Sequence, residues 1–397
     1  MSFRVTIHDL AVGGDGVGRL DDGRVTFVPG AAVGDLLDID LVEEKKKFTR
    51  GRIIEVIEPG EGRREPPCSQ VALGCGGCDW QHLTEAEQVK RKVALVRSAL
   101  ERIGRLEVPE IGVRELPQPF GYRTQLRAAV VDGQAGFRAR GSNDVLPTTS
   151  CEIAHAMFDD LLGEAHFGKA TEASLRVAPR TGERLAVLDS TSRGSLLPED
   201  VITISTNDID SGKMTSYVEM VADRPWQVSA DSFFQSSSDG AELLIEAVEE
   251  LMSAREYEIG HLVDLYGGVG LFSGTIGDRF EKVTLVESSL SASEDAEVNL
   301  DEDRCTVVKS PVERWTVSVA DVVIADPPRT GLKAKAVEKV KATGAKTVVL
   351  VSCDAGAMGR DAGLLVEAGY TLTGVTLVDL FPQTSHVEVV TGWSRVS

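Results

Sequence analysis

Two residues that lie far apart in the chain, Cys353 and Glu388, have the chemical types that covalent catalysis needs. Cys353 comes just after the apolar run 348–351, and Glu388 ends a segment that begins at Phe381. A cysteine in such a place is often a small buried apolar residue. At the carboxyl end of a strand it is also a candidate nucleophile, for which a carboxylate can serve as general base. His386 is a rival base, although a histidine there is as easily a structural group.

Methylation of C5 of uracil is a reaction that needs such a pair. The C5 carbon is too electron-poor to attack a methyl sulfonium until a nucleophile has added at C6 of the ring. A base must then remove the C5 proton so that the covalent adduct can collapse. The residue types therefore predict Cys353 as the nucleophile and Glu388 as the base, at one site.

A glycine-rich turn and two acidic residues indicate a site for a nucleoside cofactor. The predicted strand 262–266 runs into the turn 267–270, where a backbone without side chains can approach a ligand closely. Glu287 ends the next predicted strand, where a carboxylate can accept both hydroxyls of a ribose. The third glycine of the dinucleotide spacing is missing, which favours S-adenosylmethionine over a pyrophosphate cofactor. In 326–328, two prolines hold Asp326 outward at the ligand edge. The alternative interpretation is a pair of stiff turns without a ligand.

Four of the six cysteines have the spacing of a metal site. Cys75 and Cys78 form a Cys-x-x-Cys motif, Cys68 lies shortly before it, and Cys151 is far downstream. The spacing fits a tetrahedral zinc site or an iron–sulfur cluster, and it does not choose between them. Zinc is the commoner occupant of generic four-cysteine sites, and reduced cysteines without a metal are the remaining alternative.

The C-terminal part of the chain alternates predicted strands with predicted helices. This alternation indicates a mostly parallel sheet with helices on both faces and ligands beyond the carboxyl ends of the strands. The predicted strands are 262–266, 283–287, 306–308, 322–326 and 347–352, and the predicted helices are 241–252, 291–300, 333–341 and 357–367. A late pair, 371–378 and 386–392, has no helix between its members and is expected to close the sheet with an antiparallel edge.

The N-terminal part has a different pattern. Short β-rich runs separated by glycine turns predict a small five-stranded barrel of about 60 residues, a fold that often holds oligonucleotides. Residues 59–67 predict a linker, and helical apolar spacing predicts one long helix from Thr84 to about Arg105. Residues 120–225 have the alternation of a mixed β region whose topology the sequence does not resolve.

Charge is distributed unevenly along the chain. The net charge is −20, but residues 1–130 are nearly balanced at −1, so residues 131–397 carry −19. The acidic total argues against a general nucleic-acid binder, whereas basic clusters at 45–52, 63–64 and 90–97 permit contact with RNA through the N-terminal part. No window has the apolar length of a membrane span, and the start lacks the apolar core of a signal peptide, so a cytoplasmic protein without membrane contact is expected.

Taken together, the motifs resemble the RNA 5-methyluridine methyltransferase family, in the branch that has a TRAM domain and an iron–sulfur cluster and modifies large-subunit ribosomal RNA. The resemblance covers nearly the whole chain. The motifs that carry it are Cys75-Gly76-Gly77-Cys78, Gly121-Tyr122-Arg123, Phe233-Phe234-Gln235, the glycine turn, Asp326-Pro327-Pro328-Arg329, Ser352-Cys353, Arg360-Asp361 and the segment from Phe381 to Glu388.

The resemblance implies roles for ten residues. Cys68, Cys75, Cys78 and Cys151 would ligate a four-iron, four-sulfur cluster, with zinc as the alternative. Gln235, Tyr266, Glu287 and Asp326 would hold S-adenosylmethionine, and Cys353 and Glu388 would be nucleophile and base.

Three residues depart from the family pattern. Gly267 replaces a frequent cysteine and Leu271 a frequent asparagine or threonine in the cofactor turn. Asp354 replaces the usual asparagine beside the nucleophile, and its charge is expected to raise the thiol pKa unless a cation such as Arg360 offsets it.

The predicted architecture is α/β with three domains. Residues 1–58 form an OB-like TRAM barrel that binds RNA, residues 59–225 a central mixed β domain with the cluster and the long helix, and residues 226–397 a class I (Rossmann-like) methyltransferase domain. The predicted function is methylation of C5 of one uridine in structured RNA by a monomer. The predicted substrate is ribosomal RNA, and transfer RNA is the alternative.

Two other functions are compatible with parts of the sequence. A methyltransferase for a small molecule or a protein would bind the cofactor but retain no RNA. A non-catalytic RNA-binding protein with a relict methyltransferase fold, for which the three departures argue, would not bind S-adenosylmethionine.

Overall fold

The described part of the chain, residues 2–253 and 260–395 of a computed structural model, forms two compact units. The first unit extends to Leu95 and also contains Phe137–Leu146 and Phe381–His386, and the second contains Val96–Gly136, Pro147–Leu380 and the chain from Val387 onward. This division is coarser than the three predicted domains, whose boundaries stay predictions; their outermost positions, 1, 396 and 397, lie outside the described residues. Within the described ranges, no helix has the length and apolar character needed to span a membrane.

The N-terminal strands form a closed barrel in the order β1-β2-β3-β5-β4. The strands are β1 (Ser2–Leu10), β2 (Gly16–Arg19), β3 (Val25–Val28), β4 (Leu36–Glu44) and β5 (Phe48–Glu58). Because successive side chains of a strand point to opposite faces, the alternating apolar residues fill the interior, where Val5, Ile7, Leu37 and Ile39 are almost fully buried. The predicted five-stranded barrel is confirmed.

Two helices follow the barrel. Helix α1 (Ser69–Ala72) is a single turn in the cysteine-rich segment, and helix α2 (Glu85–Arg102) is the long helix predicted from the apolar spacing. The segment between them is anchored by Trp80 and Leu83, whose fully buried side chains pack against Leu10 and Ala32 of the barrel.

The mixed β region contains three small sheets. Its strands are β7 (Gln125–Val131), β8 (Gln134–Arg138), β9 (Val145–Pro147), β10 (His166–Phe167), β11 (Glu172–Ala178), β12 (Glu183–Leu188), β13 (Ser195–Leu196), β14 (Val201–Ser205), β15 (Ser216–Val221) and β16 (Arg224–Ser229), and its helices are α3 (Asp159–Gly163) and α4 (Thr206–Asp210). One sheet has the order β14-β12-β11-β7-β8-β9, and the other two are the pairs β10-β13 and β15-β16.

The second unit is built around an eight-stranded sheet in the order β19-β18-β17-β20-β21-β23-β22-β6. Its strands are β6 (Ile111–Glu115), β17 (His261–Leu265), β18 (Lys282–Glu287), β19 (Cys305–Lys309), β20 (Val322–Ala325), β21 (Thr347–Ser352), β22 (Tyr370–Asp379) and β23 (Val389–Arg395), and its helices are α5 (Ser238–Ser253), α6 (Leu271–Thr275), α7 (Leu290–Asn299), α8 (Lys333–Thr343) and α9 (Ala355–Glu367). The five strands β17 to β21 are parallel, as predicted, and their ends agree with the predicted ends to within one residue.

The strand order reverses between β17 and β20, because the chain first adds β18 and β19 on one side and then β20 and β21 on the other. In open α/β sheets, ligands bind beyond the carboxyl ends of the strands at such a point. A ligand site is therefore expected at the residues that follow β17 and β20.

The sequence-based prediction of the sheet edge was wrong. Strands β22 and β23 are antiparallel to each other, as expected, but β6 pairs in parallel with β22 and forms the outer edge. Five residues from well before the methyltransferase region thus complete its sheet. A strand this short between a helix and a loop carries too little apolar pattern to be assigned to a distant partner.

Candidate active site

Cys353 and Glu388 lie at the same end of two paired strands. Strands β21 and β23 are antiparallel, and their last pair at this end is Ser352 opposite Val389. Cys353 is the residue after Ser352, and Glu388 is the residue before Val389. The strand register therefore brings together the thiol and the carboxyl that the sequence separates. Cys353 is half-buried and Glu388 is buried.

Asp326 lies beside this pair, because it follows β20, the parallel neighbour of β21. Burial, followed by the negative charges of Glu388 and Asp326, raises the pKa of the Cys353 thiol to about 11. Burial likewise raises the pKa of Asp326 to about 7, and burial together with Asp326 raises the pKa of Glu388 well above the usual carboxyl range. Arg329 is the cation that opposes these shifts at both Cys353 and Glu388.

Helix α9 holds the turn that carries Asp326 and Arg329. Arg360 donates from Nη2 to the carbonyl oxygen of Thr330 at 3.0 Å. The buried Asp361 accepts the backbone N–H groups of Leu332 at 2.7 Å and Lys333 at 3.1 Å, which fixes the entry to α8. The positioning role of these two residues was missed from the sequence, where the adjacent Arg360-Asp361 pair was its only signal.

Gly331 completes the turn between Arg329 and α8. Its φ is +73°, and a Cβ atom there would lie 2.1 Å from Oδ2 of Asp361. The position therefore needs glycine both for its backbone conformation and for space.

The Asp354 carboxylate caps helix α9, where Oδ1 accepts the backbone N–H of Ala357 at 2.7 Å. The charges that act most strongly on the pKa of Cys353 are those of Glu388, Asp326 and Arg329, so the expected effect of Asp354 stays a prediction. Arg360, proposed as the compensating cation, donates a hydrogen bond to Thr330. The cation that lowers the pKa of Cys353 is Arg329. A carboxylate at a helix N-terminus is already stabilised by the free N–H groups there.

Removal of Arg329 gives a testable change in the reactivity of Cys353. In Arg329→Met the opposing cation is absent, so the pKa of the thiol should rise and the thiolate fraction at a given pH should fall. We expect the rate of iodoacetamide alkylation of Cys353, followed by peptide mass spectrometry, to drop several-fold at pH 8 and its pH profile to move to higher pH.

Lys335→Met, which removes an exposed cation from α8, serves as the control and should leave the profile in place. An unchanged profile in Arg329→Met would show that this guanidinium does not act on the thiol.

The glycine turn follows β17 and is hydrogen-bonded to the end of β18. Tyr266 follows β17 with φ +61°, an uncommon left-handed conformation for a large residue, and its N–H donates to Val286 at 2.9 Å. The carboxylate of Glu287 accepts N–H groups from Gly268 at 3.0 Å and from both Ser288 and Ser289 at 2.6 Å. Burial, and to a smaller extent the charges of Glu313, Asp361 and Glu287, raises the pKa of Tyr266. The bond from Tyr266 to Val286 places Tyr266 and Glu287 close together at the ends of the two paired strands.

The turn is shaped for close approach of a ligand. A Cβ atom on Gly268 would meet no atom within 4 Å, so the space beside that backbone is open. Gly267, by contrast, is closely packed, since a Cβ atom would lie 2.5 Å from Leu285. The glycine that replaces the frequent cysteine of the family is therefore matched to this chain's own packing. Leu271 is buried in the first turn of α6.

Asp264, inside β17, is a buried carboxyl that the sequence did not single out. Its Oδ2 accepts the N–H and the hydroxyl of Ser273 at 3.1 and 2.7 Å, while its Oδ1 has no hydrogen-bond partner among the described residues. Burial, with smaller contributions from the charges of Asp326 and Glu287, raises the pKa of Asp264 to about 7. A buried acid with one free oxygen so close to the ligand edge is a common feature of functional sites.

The raised pKa of Asp264 predicts a pH dependence of stability. The folded protein holds this proton up to about pH 7, whereas the unfolded chain releases it near the ordinary value of 3.8. Wild-type stability should therefore fall between these pH values, by at most about 1.4 kcal/mol per pH unit from this group. Asp264→Asn lacks this term, so its stability relative to wild type should rise with pH. Urea unfolding at pH 5 and pH 8 measures the difference, and an equal difference at both pH values would contradict the assignment.

Gln235 lies in the second unit, where its segment is held by Gln125. The side chain of Gln125 donates to the carbonyl oxygens of Phe234 at 2.9 Å and Gln235 at 3.2 Å. Phe234 is buried, whereas Phe233 is 67% exposed. The structure thus fixes the backbone of this motif, and the role of the Gln235 side chain stays a prediction.

The four predicted metal ligands are divided between the units. Cys68, Cys75 and Cys78 belong to the first unit, where Cys75 and Cys78 line a pocket of about 290 Å³, and Cys151 belongs to the second. Burial, and secondarily the charge of Cys68, raises the pKa of Cys75. Within the described chain, no group of three or more His, Cys, Asp or Glu side chains is arranged to hold a metal ion. The cluster on these four cysteines therefore stays a prediction.

The parallel sheet, its reversal point and the turns beyond β17 and β20 define a class I methyltransferase fold, which follows an N-terminal barrel in the sequence. Comparison with known proteins agrees with this class. Residues 2–54 match the TRAM domain family. The chain also shares its fold with the crystal structure of Pyrococcus abyssi tRNA (uracil-54, C5)-methyltransferase in complex with S-adenosyl-L-homocysteine. The TM-score is 0.76 and the identity 24%, over 98% of this chain and 99% of that one.

Two relatives place the chain in a family. It is 31% identical to an uncharacterized RNA methyltransferase of Gloeobacter violaceus, over 98% of this chain and 96% of the relative. It is 30% identical to an uncharacterized RNA methyltransferase of Streptomyces coelicolor, over 98% of this chain and 92% of the relative. The protein belongs to the TRAM-containing RNA methyltransferase family, and the family predicted from the motifs is confirmed at this level.

Proposed function

We propose that this protein methylates C5 of a uridine in structured RNA, with S-adenosylmethionine as the methyl donor. The observation that carries the proposal is the register of β21 and β23, which puts a half-buried thiol and a buried carboxyl at one sheet end. Methylation of carbon in an electron-poor pyrimidine needs both groups, whereas methylation of oxygen or nitrogen does not need a thiol nucleophile.

The cofactor site proposed here is the carboxyl end of β17, β18 and β20. Gln235, Tyr266, Glu287 and Asp326 would hold S-adenosylmethionine, which supplies an electrophilic methyl group when bound. The open space beside Gly268 and the position at the reversal of strand order support this assignment.

The protein's own groups would act in two steps. The Cys353 thiolate adds to C6 of the uracil, which makes C5 electron-rich enough to accept the methyl group. Glu388 then takes the proton from C5, the C–H electron pair restores the C5–C6 double bond, and the C6–S bond breaks to release the thiolate. No step of this scheme requires an electron from a metal cluster.

The barrel is the proposed RNA-binding part. Its hairpin between β4 and β5 carries exposed basic residues, some of them paired, as Arg50 is with Asp15 at 2.8 Å and Lys45 with Glu43 at 3.2 Å. Lys46 and Lys47 are exposed and have no ion pair among the described residues, so they can contact phosphates. The exposed ring of Phe233 offers a stacking face for a base that has been flipped out of its helix.

Ribosomal RNA is the proposed substrate, as the motif resemblance implies. Transfer RNA is the second candidate, because a protein of known structure that shares this fold over its full length is a tRNA (uracil-54, C5)-methyltransferase. The cytoplasmic location and the monomeric state stay predictions from the sequence.

An iron–sulfur cluster on Cys68, Cys75, Cys78 and Cys151 is also kept as a proposal. Its support is the Cys-x-x-Cys spacing and the pocket that Cys75 and Cys78 share. Anaerobic purification should give a brown protein with broad absorbance at the blue edge of the visible and with stoichiometric iron. A colourless protein that contains zinc would select the alternative metal.

The proposed function is tested by incubating the purified protein with S-adenosylmethionine and RNA from cells in which its gene is deleted. Mass spectrometry of digested RNA should show new 5-methyluridine at one position, and comparison of the ribosomal and transfer RNA fractions identifies the substrate. Methylation of a different base would refute the proposal. Calorimetric titration without any S-adenosylmethionine binding would instead favour the relict RNA-binding protein.

A further inference from the structure

A loop of six residues, Phe381–His386, leads directly into the proposed base. Phe381–His386 belongs to the first unit, whereas β22 before it and β23 after it belong to the second. Glu388 follows this loop by only two residues. Its backbone position therefore depends on the strand register on one side and on the packing of the loop on the other.

Gln383 is the most strongly held residue of the loop. It is fully buried and has φ +70°, a left-handed conformation that side chains other than glycine rarely adopt. Its backbone N–H donates to Oε1 of Gln88 at 2.7 Å, and its carbonyl oxygen accepts the N–H of Trp80 at 3.0 Å. Its side-chain oxygen accepts from Arg64 at 2.9 Å and Gln88 at 3.0 Å, while Nε2 donates to Glu85 at 3.0 Å. Every polar group of Gln383 is thus satisfied inside the first unit.

The same loop is connected to the first turn of the barrel. The N–H of Ser385 donates to Asp79 at 2.8 Å, and Nε1 of the neighbouring Trp80 donates to the carbonyl oxygen of Gly14 at 3.0 Å. A Cβ atom on Gly14, whose φ is +91°, would lie 2.3 Å from Oδ2 of Asp79. The barrel turn, the segment before α2 and the loop therefore form one close-packed group.

We propose that Gln383 is a positioning residue for Glu388, because it holds the loop that leads directly into that residue. The inference rests on the proposed function, since it concerns removal of the C5 proton. Cys353 follows β21 and lies outside this loop, so different segments hold the group that adds to C6 and the group that removes the C5 proton. Proton transfer is sensitive to position because the base must lie within about 2.6–3.2 Å of its proton, and a displacement of about 1 Å can cost 10²-fold.

The test exchanges two hydrogen-bonding groups. Gln383→Glu keeps the side-chain oxygen that accepts from Arg64 and Gln88 but replaces the donor to Glu85 by a second carboxylate oxygen, which repels the Glu85 carboxylate. In the double variant Gln383→Glu with Glu85→Gln, the donor returns on the other side, and Arg64 remains next to one carboxylate. Each variant is used as the full chain, with RNA that carries tritium at uracil C5 and comes from cells in which the gene is deleted.

For Gln383→Glu we expect kcat for tritium release to fall about 10- to 100-fold, while KM for the RNA is unchanged. Because the stalled adduct keeps its C5 tritium, label should also accumulate on the denatured protein. The double variant should recover most of the rate and lose the trapped label. A role in folding alone would not produce a trapped, methylated adduct.

Several results would overturn the inference. These are wild-type tritium release in Gln383→Glu, a fall in rate without trapped label, or a double variant that unfolds at the wild-type temperature yet stays slow. If Gln383→Glu does not fold, Glu85→Ala serves as the second variant. It removes the carboxylate that accepts from Nε2 of Gln383, and it must also accumulate the trapped adduct. Glu388→Gln separates this inference from the proposed function, since an absence of trapped label in that variant would defeat the function itself.

Discussion

Cys353→Ala is expected to lose at least about 10⁴-fold in the rate of tritium release from uracil C5 and to form no covalent adduct with RNA. Without the sulfur, C6 receives no nucleophile and C5 stays too electron-poor to take the methyl group. The loss should appear in kcat, because the cofactor residues beyond β17 and β18 are untouched. S-adenosylmethionine should therefore bind the variant as it binds the wild type.

Cys305→Ala is the matched control for this experiment. Cys305 is another half-buried cysteine of the second unit, and burial raises the pKa of its thiol to about 12. It begins β19, two strands away from β17 and on the far side from β21. Its substitution should change the rate by no more than a few-fold. Tritium release by Cys353→Ala at a rate similar to that of Cys305→Ala would refute the assignment of the nucleophile.

The second large effect is expected for Glu388→Gln, which keeps the shape of the side chain but cannot take a proton. Cys353 should still attack and methyl transfer should still occur, so the enzyme stalls as a methylated adduct that withstands denaturation in SDS. Turnover should fall by about 10²- to 10⁴-fold, the usual contribution of a general base.

The same substitution should also change the thiol. The charge of Glu388 is among the causes that raise the pKa of Cys353. Its removal should lower that pKa, so alkylation of Cys353 at pH 8 should become faster in Glu388→Gln. Glu219→Gln, which alters another buried carboxyl with a raised pKa, is the control. It should neither accumulate a stalled adduct nor change the alkylation rate of Cys353. Normal turnover by Glu388→Gln would show that another group is the base.

The sequence predicted the sheet well because strongly apolar parallel strands with intervening helices leave a clear local pattern. Strand β6 and the pairing within the mixed β region were not predictable in this way, since a pairing partner far along the chain leaves no local trace. The contact between the regions of Cys353 and Glu388 was deduced from chemistry rather than from pattern, and only the β21–β23 register gives it a geometric basis.

The orientation of the side chains at the site was not predictable from the sequence. The charge of Asp354 was expected to act on the thiol, and nothing in the sequence showed that this side chain caps a helix. The sequence does not reveal the role of Gln383, because an amide residue in a loop gives no sign of being buried. Local spacing reveals which residues are chemically able to act, whereas the direction of each side chain depends on the completed tertiary structure.

The antiparallel course of β23 limits how the chain can change in length. Side chains alternate between the two faces of a strand, so a slip of one residue in β23 would turn Glu388 away from Cys353 without unfolding the sheet. An insertion in the hairpin would disturb the loop residues 381–386, which have their own partners. Length variation among homologues should therefore concentrate in the turns of the barrel and of the mixed β region. The distance in sequence from β21 to residue 353, and from the loop 381–386 to residue 388, should stay constant.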